Sequence, residues 1–183
     1  TGACAAAGVK AALLFEDGEP WQEVDLTALD GTRLHIPIKS VTRTADGICA
    51  EVVKFSGDDP DITNGVSVFA TVRRLSGAAG IVFRAGEGIG RVTKRGLSVP
   101  VGEPAINPGP RQLITNIVEK MRGANAAFEV TIAIPAGVRL AKQTLNPILG
   151  IEGGISVIGT TGVLRPMSEE GFKNSLVPQI DVA

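Results

Sequence analysis

The sequence predicts an α+β fold, in which packed helices cover a mixed, largely antiparallel sheet. Apolar and polar residues alternate with period two through residues 22–55, and strand-like segments follow at 66–75 and 80–84. Two Asp-Gly pairs, Asp30-Gly31 and Asp46-Gly47, separate alternating segments and predict tight β-hairpins. Strands grouped in one block, with most helices after them, are typical of α+β domains rather than of regularly alternating α/β units.

The remaining elements follow in order along the chain. Residues 1–15 are rich in alanine and predict a helix with Thr1 or Gly2 at its N-cap, and with Gly8 weakening its middle. Residues 85–97 contain too many glycines for regular structure and predict a loop or a pair of tight turns. The later part predicts a proline-opened amphipathic helix at 111–122, a strand at 128–135, a short helix at 138–144, a buried strand at 155–158 and a last helix at 167–182.

The domain organisation follows from this order of elements. We expect one α+β domain over residues 1–150, and residues 151–183 are compatible with the start of a second α/β segment that is cut short. The sequence starts with Thr1 rather than Met and ends at Ala183 within a predicted helix, which suggests a fragment of a longer chain.

Composition narrows the function classes. With 44% hydrophobic residues, 20% charged residues and a formal charge of −1, the chain is expected to fold and to have no generic affinity for nucleic acid. No apolar run approaches the roughly 20 residues needed to cross a bilayer, so we expect no membrane partner and a cytoplasmic location. Cys4 and Cys49 lie far apart without CxxC spacing, which predicts reduced thiols and no zinc site. A homo-oligomer is compatible with the sequence.

The stretch GDDPDITNG, residues 57–65, places Asp58, Asp59 and Asp61 close together. Proline, glycine, asparagine and aspartate favour turns, so a solvated turn is one interpretation. A loop that positions a ligand and a metal site are the others, although the spacing fails the EF-hand pattern. The three interpretations stay open at this point.

A second candidate site is the glycine-rich segment GEGIG, with Gly86, Gly88 and Gly90. Its backbone N–H groups could cradle an anion, but the spacing matches neither GxGxxG nor a P-loop, so a structural glycine turn is an equal alternative. Lys94 and Arg95 follow it and could pair with a ligand carboxylate or remain in water.

Two further segments carry polar groups on restricted backbone. GEPAINPGPR holds Glu103, Asn107 and Arg111 between prolines, which suits either a rigid binding loop or a turn that starts a helix with Asn107 as its cap. The segment from Asn146 to Gly162 places a predicted strand between glycine turns. A ligand could bind there at Gly153, Gly154, Thr160 and Thr161, or the segment is only a strand flanked by ordinary turns. The lone His35 forms no triad and no metal cluster, so we expect it to be structural.

Together these segments resemble one family. TGACAAAGVKAALL, VVKFSGDDPDITNG, GEGIGRVTKRGL, VGEPAINPGPR and LNPILGIEGGISVIGTTGVLRPMSEE are similar, in this order, to segments of the cobalt-precorrin-5B methyltransferases of anaerobic cobalamin biosynthesis, the CbiD type. The resemblance covers most of the chain. The family's glycine-tyrosine-threonine run before TG is missing, its chains continue well past Ala183, and Gly109 stands where an apolar residue is expected.

The resemblance implies that S-adenosylmethionine donates a methyl group to carbon one of a carboxylate-rich tetrapyrrole, with cobalt present only as part of the substrate. If the macrocycle must lose a proton in this reaction, a carboxylate is a suitable base, and Asp59, Glu87 and Glu103 are the candidates. Contacts to the cobalt-precorrin are expected from Asp58, Asp61, Lys94, Arg95, Asn107 and Arg111. Contacts to the methyl donor are expected from Gly86, Gly88, Gly90, Gly153, Gly154, Thr160 and Thr161.

Two alternatives to this enzyme stay open. A nucleotide-dependent enzyme would use GEGIG to hold phosphates together with Mg²⁺. A non-catalytic corrinoid-binding module would bind the macrocycle without responding to the methyl donor.

Overall fold

The computed structural model describes residues 1–57 and 61–159. Asp58, Asp59 and Pro60, and the segment from residue 160 to the end, lie outside the described residues. The predicted helix at 167–182 therefore falls outside them as well, and the predicted domain boundary at residue 150 stays a prediction.

The described chain contains helices and strands in a mixed order. The helices are α1 (Gly2–Asp17), α2 (Pro108–Arg122) and α3 (Gly137–Leu140), and α3 continues as a 3-10 helix at Ala141–Gln143. The strands are β1 (Glu23–Thr27), β2 (Arg33–Pro37), β3 (Ser40–Thr44), β4 (Gly47–Val53), β5 (Ser67–Arg74), β6 (Gly80–Ala85), β7 (Arg91–Val92), β8 (Ala127–Ala133) and β9 (Ile151–Glu152).

Five of these strands form the central sheet, in the order β3-β4-β5-β8-β6. All of its pairs are antiparallel except β6 with β8. Strands β1 and β2 form a separate antiparallel pair, as do β7 and β9. The prediction of an α+β fold with a mixed, largely antiparallel sheet is confirmed.

Both predicted Asp-Gly hairpins are present, joining β1 to β2 and β3 to β4. The long alternating segment at residues 32–42 is divided, however, into β2 and β3, which belong to different sheets. Pro37 ends β2, and it has no N–H with which to continue a ladder. The next two residues then bond in different directions, because Ile38 donates its N–H to Gln22 and Lys39 donates its N–H to Glu51.

Helix α1 packs on one face of the central sheet, against β4 and β5. Its small residues permit this close approach: a Cβ atom built on Gly8 would lie 2.9 Å from the Cβ of Ala70 on β5. Gly8 therefore allows helix and sheet to meet, which offsets its poor helix propensity. The helix ends at Gly18, whose φ of 74° is left-handed and whose N–H bonds back to the last turn.

Two glycine-rich segments differ from their predictions. Residues 85–97 were expected to lack regular structure, but they contain β7, which pairs with β9. The predicted strand at 155–158 is buried at Ile155 and Val157, yet it forms only isolated bridges, from Ile155 to Ile89 and from Val157 to Ile106. Both partners are parallel single contacts across loops, so no continuous ladder can form.

The exposed hairpin of β1 and β2 carries His35 between two carboxylates. Its Nδ1 lies 2.8 Å from Asp25 Oδ1 and its Nε2 lies 2.9 Å from Glu23 Oε2. These hydrogen bonds, first from Asp25 and then from Glu23, raise the pKa of His35 above its usual range. The structural role expected of His35 agrees with this position.

We predict a pH dependence that reports on this hairpin. Because the folded pKa of His35 is raised, its contribution to stability is present below about pH 6.5 and is lost as the pH rises through the folded pKa. The chain holds one histidine, so its imidazole resonance in a proton NMR titration is unambiguous. The midpoint should fall in Asp25→Asn, whereas an equal midpoint in both proteins would show that the Asp25 contact is absent in solution.

None of the described helices is long and apolar enough to cross a bilayer. Among residues 1–57 and 61–159, no group of three or more His, Cys, Asp or Glu side chains is arranged to hold a metal ion.

Candidate functional site

Helices α1 and α2 run parallel and begin at the same end of the molecule. A Cβ atom built on Gly2 would lie 2.8 Å from Pro110 Cγ, so the first turns of the two helices touch. At the opposite end, Arg122 in the last turn of α2 donates a hydrogen bond of 2.9 Å to the carbonyl oxygen of Leu13 in α1. The partial positive charges of both helix starts therefore meet in one place.

The segment before residue 160 is bound to these helix starts. Ile158 accepts a hydrogen bond of 3.3 Å from the N–H of Gly2 and donates one of 3.3 Å to the hydroxyl of Thr1. Val157 accepts from the N–H of Asn107, just before α2, at 3.0 Å. Thr1 occupies the N-cap position of α1, one of the two positions expected, but its side chain makes no capping hydrogen bond and bonds to Ile158 instead.

A buried ion pair lies beyond the end of β4. The side chain of Lys54 is 4% exposed, and its Nζ lies 2.6 Å from Asp61 Oδ2 and 2.7 Å from Ser56 Oγ. The other carboxylate oxygen of Asp61 accepts hydrogen bonds from the N–H and the hydroxyl of Thr63, at 2.7 and 2.6 Å. Through Lys54, Asp61 thus anchors the second half of the GDDPDITNG stretch beside the end of β4.

The electrostatics of Asp61 follow from these contacts. Partial burial opposes ionisation of its carboxyl group, but the hydrogen bonds from Lys54 and Thr63 outweigh that effect and lower its pKa to about 2. Asp61 is therefore a stable anion, and Lys54 neutralises it.

This low pKa predicts acid-dependent stability. Because the folded pKa lies below the ordinary value of 3.8, the contribution of Asp61 is present above that value and is lost as the pH falls towards 2. The difference corresponds to about 2 kcal/mol. Urea denaturation of the wild type and Asp61→Asn should therefore give free energies of unfolding that converge between about pH 4 and about pH 2. Parallel curves would contradict the assignment.

Cys4 connects the ion pair with the start of α1. Its thiol is half-buried in the first turn, and burial raises its pKa, while the Lys54 ammonium acts on it in the opposite direction. The thiol therefore stays protonated near neutral pH. We call the group formed by Thr1, Cys4, Lys54, Asp61 and Ile158 the helix-start cluster.

The cluster answers part of the question raised by the three aspartates. Asp58 and Asp59 lie outside the described residues. Both carboxylate oxygens of Asp61 already accept hydrogen bonds, one from Lys54 and the other from Thr63. For Asp61, this geometry favours a loop fixed in place over a merely solvated turn. Direct contact of Asp61 with a substrate stays a prediction.

The two glycine segments meet each other in the fold. Gly90 donates its N–H to the carbonyl of Ile155 at 3.0 Å, and Ile155 donates to the carbonyl of Gly88 at 2.9 Å. A Cβ atom on Gly154 would overlap the carbonyl oxygen of Gly88. The N–H groups of Gly86, Ile89 and Gly90 all donate within the chain, so these positions serve close backbone packing. Their role in donor binding stays a prediction.

The other predicted site residues are placed as follows. Glu87 is exposed, and its carbonyl accepts from the N–H of Ile134. Lys94 is exposed and donates to the carbonyl of Ile148 at 3.2 Å, and Arg95 is exposed beside it. Gly153 is exposed with a φ of 83°, and Thr160 and Thr161 lie outside the described residues.

The GEPAINPGPR segment leads into α2. Asn107 occupies the N-cap position, but its side chain makes no capping hydrogen bond, so the cap interpretation holds for position only. Glu103 is about half exposed and lies 3.4 Å from Arg111 Nη2. The guanidinium of Arg111 also donates to the carbonyl oxygens of Ile106 and Pro104, at 2.8 and 3.1 Å.

Sequence reasoning missed Lys54 and gave Cys4 no role in a site. A signal for Lys54 was present, because it continues the alternation of Ala50 and Val52, which point into the core. A lysine in a buried strand position, seven residues before an aspartate, indicates a buried ion pair. The participation of Cys4 has no such local signal, since it depends on contacts between distant segments.

Comparison with known proteins relates these segments to one family. The CbiD family model matches residues 1–166, which include every segment of the helix-start cluster. A protein of Moorella thermoacetica named cobalt-precorrin-5B C(1)-methyltransferase is 52% identical over 184 residues, covering 100% of this chain and 50% of the relative. A protein of the same name from Methanocaldococcus jannaschii is 48% identical, covering 100% of this chain and 51% of the relative.

A solved structure agrees with the fold. The crystal structure of the cobalamin biosynthesis protein cbiD from Archaeoglobus fulgidus has a TM-score of 0.65 and 26% identity, and the match covers 97% of this chain and 57% of that protein. The chain spans about half the length of the curated relatives it matches. The family resemblance inferred from the sequence is confirmed: this chain belongs to the CbiD family.

Proposed function

We propose that the protein methylates carbon one of cobalt-precorrin-5B, giving cobalt-precorrin-6A in anaerobic cobalamin biosynthesis, with S-adenosylmethionine as methyl donor. The observation that carries this proposal is the match along the whole chain to relatives that bear the name of this methyltransferase. The substrate is the one that this name gives. S-adenosylmethionine is proposed as the donor because methyl transfer to a ring carbon needs an electrophilic methyl group. A cytoplasmic location and a homo-oligomer stay predictions.

The helix-start cluster supports a ligand site at the end where α1 and α2 begin. Segments that carry the family resemblance meet there: the start of α1, the residues around Lys54 and Asp61, the segment before α2, and the residues up to Ile158. The positive ends of two helix dipoles at one place favour a carboxylate there, which both the donor and the corrinoid would present. Local residue types therefore fit the proposed ligands.

In the reaction, bound S-adenosylmethionine supplies an electrophilic methyl group. The protein must hold the nucleophilic ring carbon in line with that methyl group, and such positioning contributes about 7–11 kcal/mol in well-oriented reactions. We infer that Lys54 and Asp61 act as positioning residues, because their ion pair holds Asp61, two residues after Asp59 in the sequence, beside the end of β4.

If the macrocycle loses a proton, a nearby carboxylate is a suitable general base. Asp59, Glu87 and Glu103 remain our candidates for this base. Asp61 is a poorer choice, because its oxygens are already bonded to Lys54 and Thr63 and its pKa is about 2. Contacts to the corrinoid from Lys94, Arg95, Asn107 and Arg111 are part of the same proposal.

A direct assay tests the proposed function. The full-length protein is incubated with cobalt-precorrin-5B and methyl-labelled S-adenosylmethionine, and the corrinoid product is analysed by mass spectrometry and NMR. We expect one labelled methyl group on carbon one. Binding of the corrinoid with no methyl transfer would favour the non-catalytic alternative instead.

A second experiment locates the donor site. Calorimetric titration with S-adenosylhomocysteine is performed on the 183-residue chain and, as a control, on the full-length Moorella thermoacetica relative. Saturable binding to both would support a donor site within these residues and make the glycine segments the next targets. Binding to the relative alone would assign the donor to its other half.

The nucleotide alternative receives less support from the geometry. A phosphate cradle needs several backbone N–H groups that point at the ligand. In GEGIG, the N–H groups of Gly86, Ile89 and Gly90 donate to carbonyls of the chain. Thermal stabilisation of the protein by ATP with Mg²⁺ would nevertheless favour that alternative over ours.

A further inference from the structure

A cleft of about 210 Å³ opens between β6 and the turn at residues 102–104. Strand β6 is the edge of the central sheet, so nothing in the described sheet covers its outer side. The opposite wall is held by β7, where Arg91 pairs with Pro104 and Val92 exchanges backbone hydrogen bonds with Gly102 and Glu103. The volume suits one arm of a ligand rather than a whole macrocycle.

Arg111 forms the fixed side of this cleft. Its guanidinium bonds to the carbonyls of Ile106 and Pro104 and lies over the ring of Phe83, 5.1 Å from the centroid. The side chain is 26% exposed, so part of the group faces the cleft. Its Nη1 has no hydrogen-bond partner within residues 1–57 and 61–159. The guanidinium of Arg111 is therefore held in place, and its Nη1 can still donate a hydrogen bond to a ligand.

Arg91 lies on the same cleft and is less constrained. Its Nη1 donates to the carbonyl of Gly102 at 3.1 Å. The other nitrogens of this guanidinium bond to no residue in the described part of the chain. A planar guanidinium with free donors on one edge matches the two oxygens of a carboxylate.

The charge balance of the cleft favours an anion. Arg84, Arg91 and Arg111 line it, against Glu103 as the lining carboxylate. Arg84 is already paired with Glu129 at 3.0 Å. Glu103 is about half exposed and reaches Arg111 only at 3.4 Å, so its contact is weak. Two guanidinium groups therefore face the cleft with little compensation.

We propose that this cleft binds a carboxylate arm of an acidic ligand through Arg91 and Arg111. Arg111 lies in the first turn of α2, so the cleft opens at the same end of the molecule as the helix-start cluster. The identification of that ligand with the carboxylate-rich corrinoid rests on the proposed function, whereas the carboxylate site itself rests on the geometry. Nothing in the sequence pattern marks Arg91 for this role.

The test uses propane-1,2,3-tricarboxylate as probe and the full-length protein with ¹⁵N-labelled arginine. NMR follows the side-chain Nε–H signals of Arg91 and Arg111 as the probe is added. We expect saturable shifts and, in Arg91→Gln, a Kd about tenfold higher, as expected for the loss of one charge-assisted pair. Arg139→Gln, which removes an exposed arginine of α3 outside the cleft, should leave the Kd unchanged.

Several outcomes would contradict the proposal that the cleft binds a carboxylate. Shifts that do not saturate, or an equal Kd in the wild type and Arg91→Gln, would remove Arg91 from the binding of carboxylates. The same titration is repeated with inorganic phosphate at matched ionic strength. If phosphate binds as tightly as the tricarboxylate, the cleft is not specific for carboxylates.

The corrinoid is tested separately through the KM for cobalt-precorrin-5B, which should rise in Arg91→Gln and stay unchanged in Arg139→Gln. If the probe binds through Arg91 but the protein transfers no methyl group, the carboxylate site is supported and the proposed function is contradicted. If the protein transfers the methyl group and Arg91→Gln changes neither the Kd of the probe nor the KM of the corrinoid, the proposed function is supported and the carboxylate site is contradicted.

Discussion

Replacing Lys54 by methionine should lower the free energy of unfolding by about 2–4 kcal/mol, since removing one partner of a buried pair leaves the other uncompensated. The Lys54 side chain is 4% exposed and that of Asp61 is 20% exposed, so water replaces the lost ammonium only in part. Methionine has a similar size and fills the space with apolar atoms, which confines the effect to the lost charge. Chemical denaturation near pH 7 measures it.

The matched control is Lys39→Met. Lys39 pairs with Glu51 at 2.9 Å, but its side chain is 58% exposed. Glu51 is 13% exposed, but it keeps hydrogen bonds from Ser67 and Ser40 when the ammonium is removed, so we expect a loss of about 1 kcal/mol or less for this partly exposed pair. Equal losses in the two variants would contradict the burial of the Lys54–Asp61 pair and would remove the reason for giving it a positioning role.

Gly88→Ala should destabilise the fold by about 3–5 kcal/mol, because a left-handed φ and a backbone overlap add together. Gly88 has a φ of 76°, and a Cβ atom there would overlap the carbonyl oxygen of Ile134. Backbone atoms of Ile134 and Gly137 are the neighbours, so no flexible side chain can move aside. Thermal and urea unfolding measure the loss.

Gly153→Ala is the control for backbone conformation alone. Its φ of 83° is also left-handed, but a Cβ atom there would meet nothing within 4 Å. We expect a loss of about 1–2 kcal/mol, the cost of the left-handed conformation for a residue with a side chain. If Gly88→Ala costs no more than Gly153→Ala, the close packing of Gly88 against the backbone of Ile134 and Gly137 is absent in solution.

The elements that the sequence predicted well are those with local signals. The two Asp-Gly hairpins need only turn chemistry and alternation, and α1 needs only its alanine content. By contrast, β7 and the bridges of Ile155 and Val157 depend on partners far away in the chain, such as Ile151 and Ile89. No periodicity within GEGIG or GGISVIG reports such pairing, so neither the short strand nor the isolated bridges could be derived.

The candidate site was predictable as a set of segments but not as a geometry. The GDDPDITNG, GEPAINPGPR and GGISVIG stretches were identified because they concentrate turn residues, and in the first two cases charged side chains, within a few positions. Their proximity at the starts of α1 and α2 depends on tertiary structure, as the hydrogen bonds from Gly2 to Ile158 and from Asn107 to Val157 show. The partner of Asp61 was missed because Lys54 reads as part of a strand.

We propose that the ligands bind at the end of the molecule where α1 and α2 begin. Hydrogen–deuterium exchange of the full-length protein, with and without cobalt-precorrin-5B and S-adenosylhomocysteine, tests this most directly. We predict slower exchange in peptides that cover residues 1–10, 54–66 and 154–159. Protection confined to the opposite end, around Asp17 and Arg122, or absent from all of residues 1–159, would contradict the account.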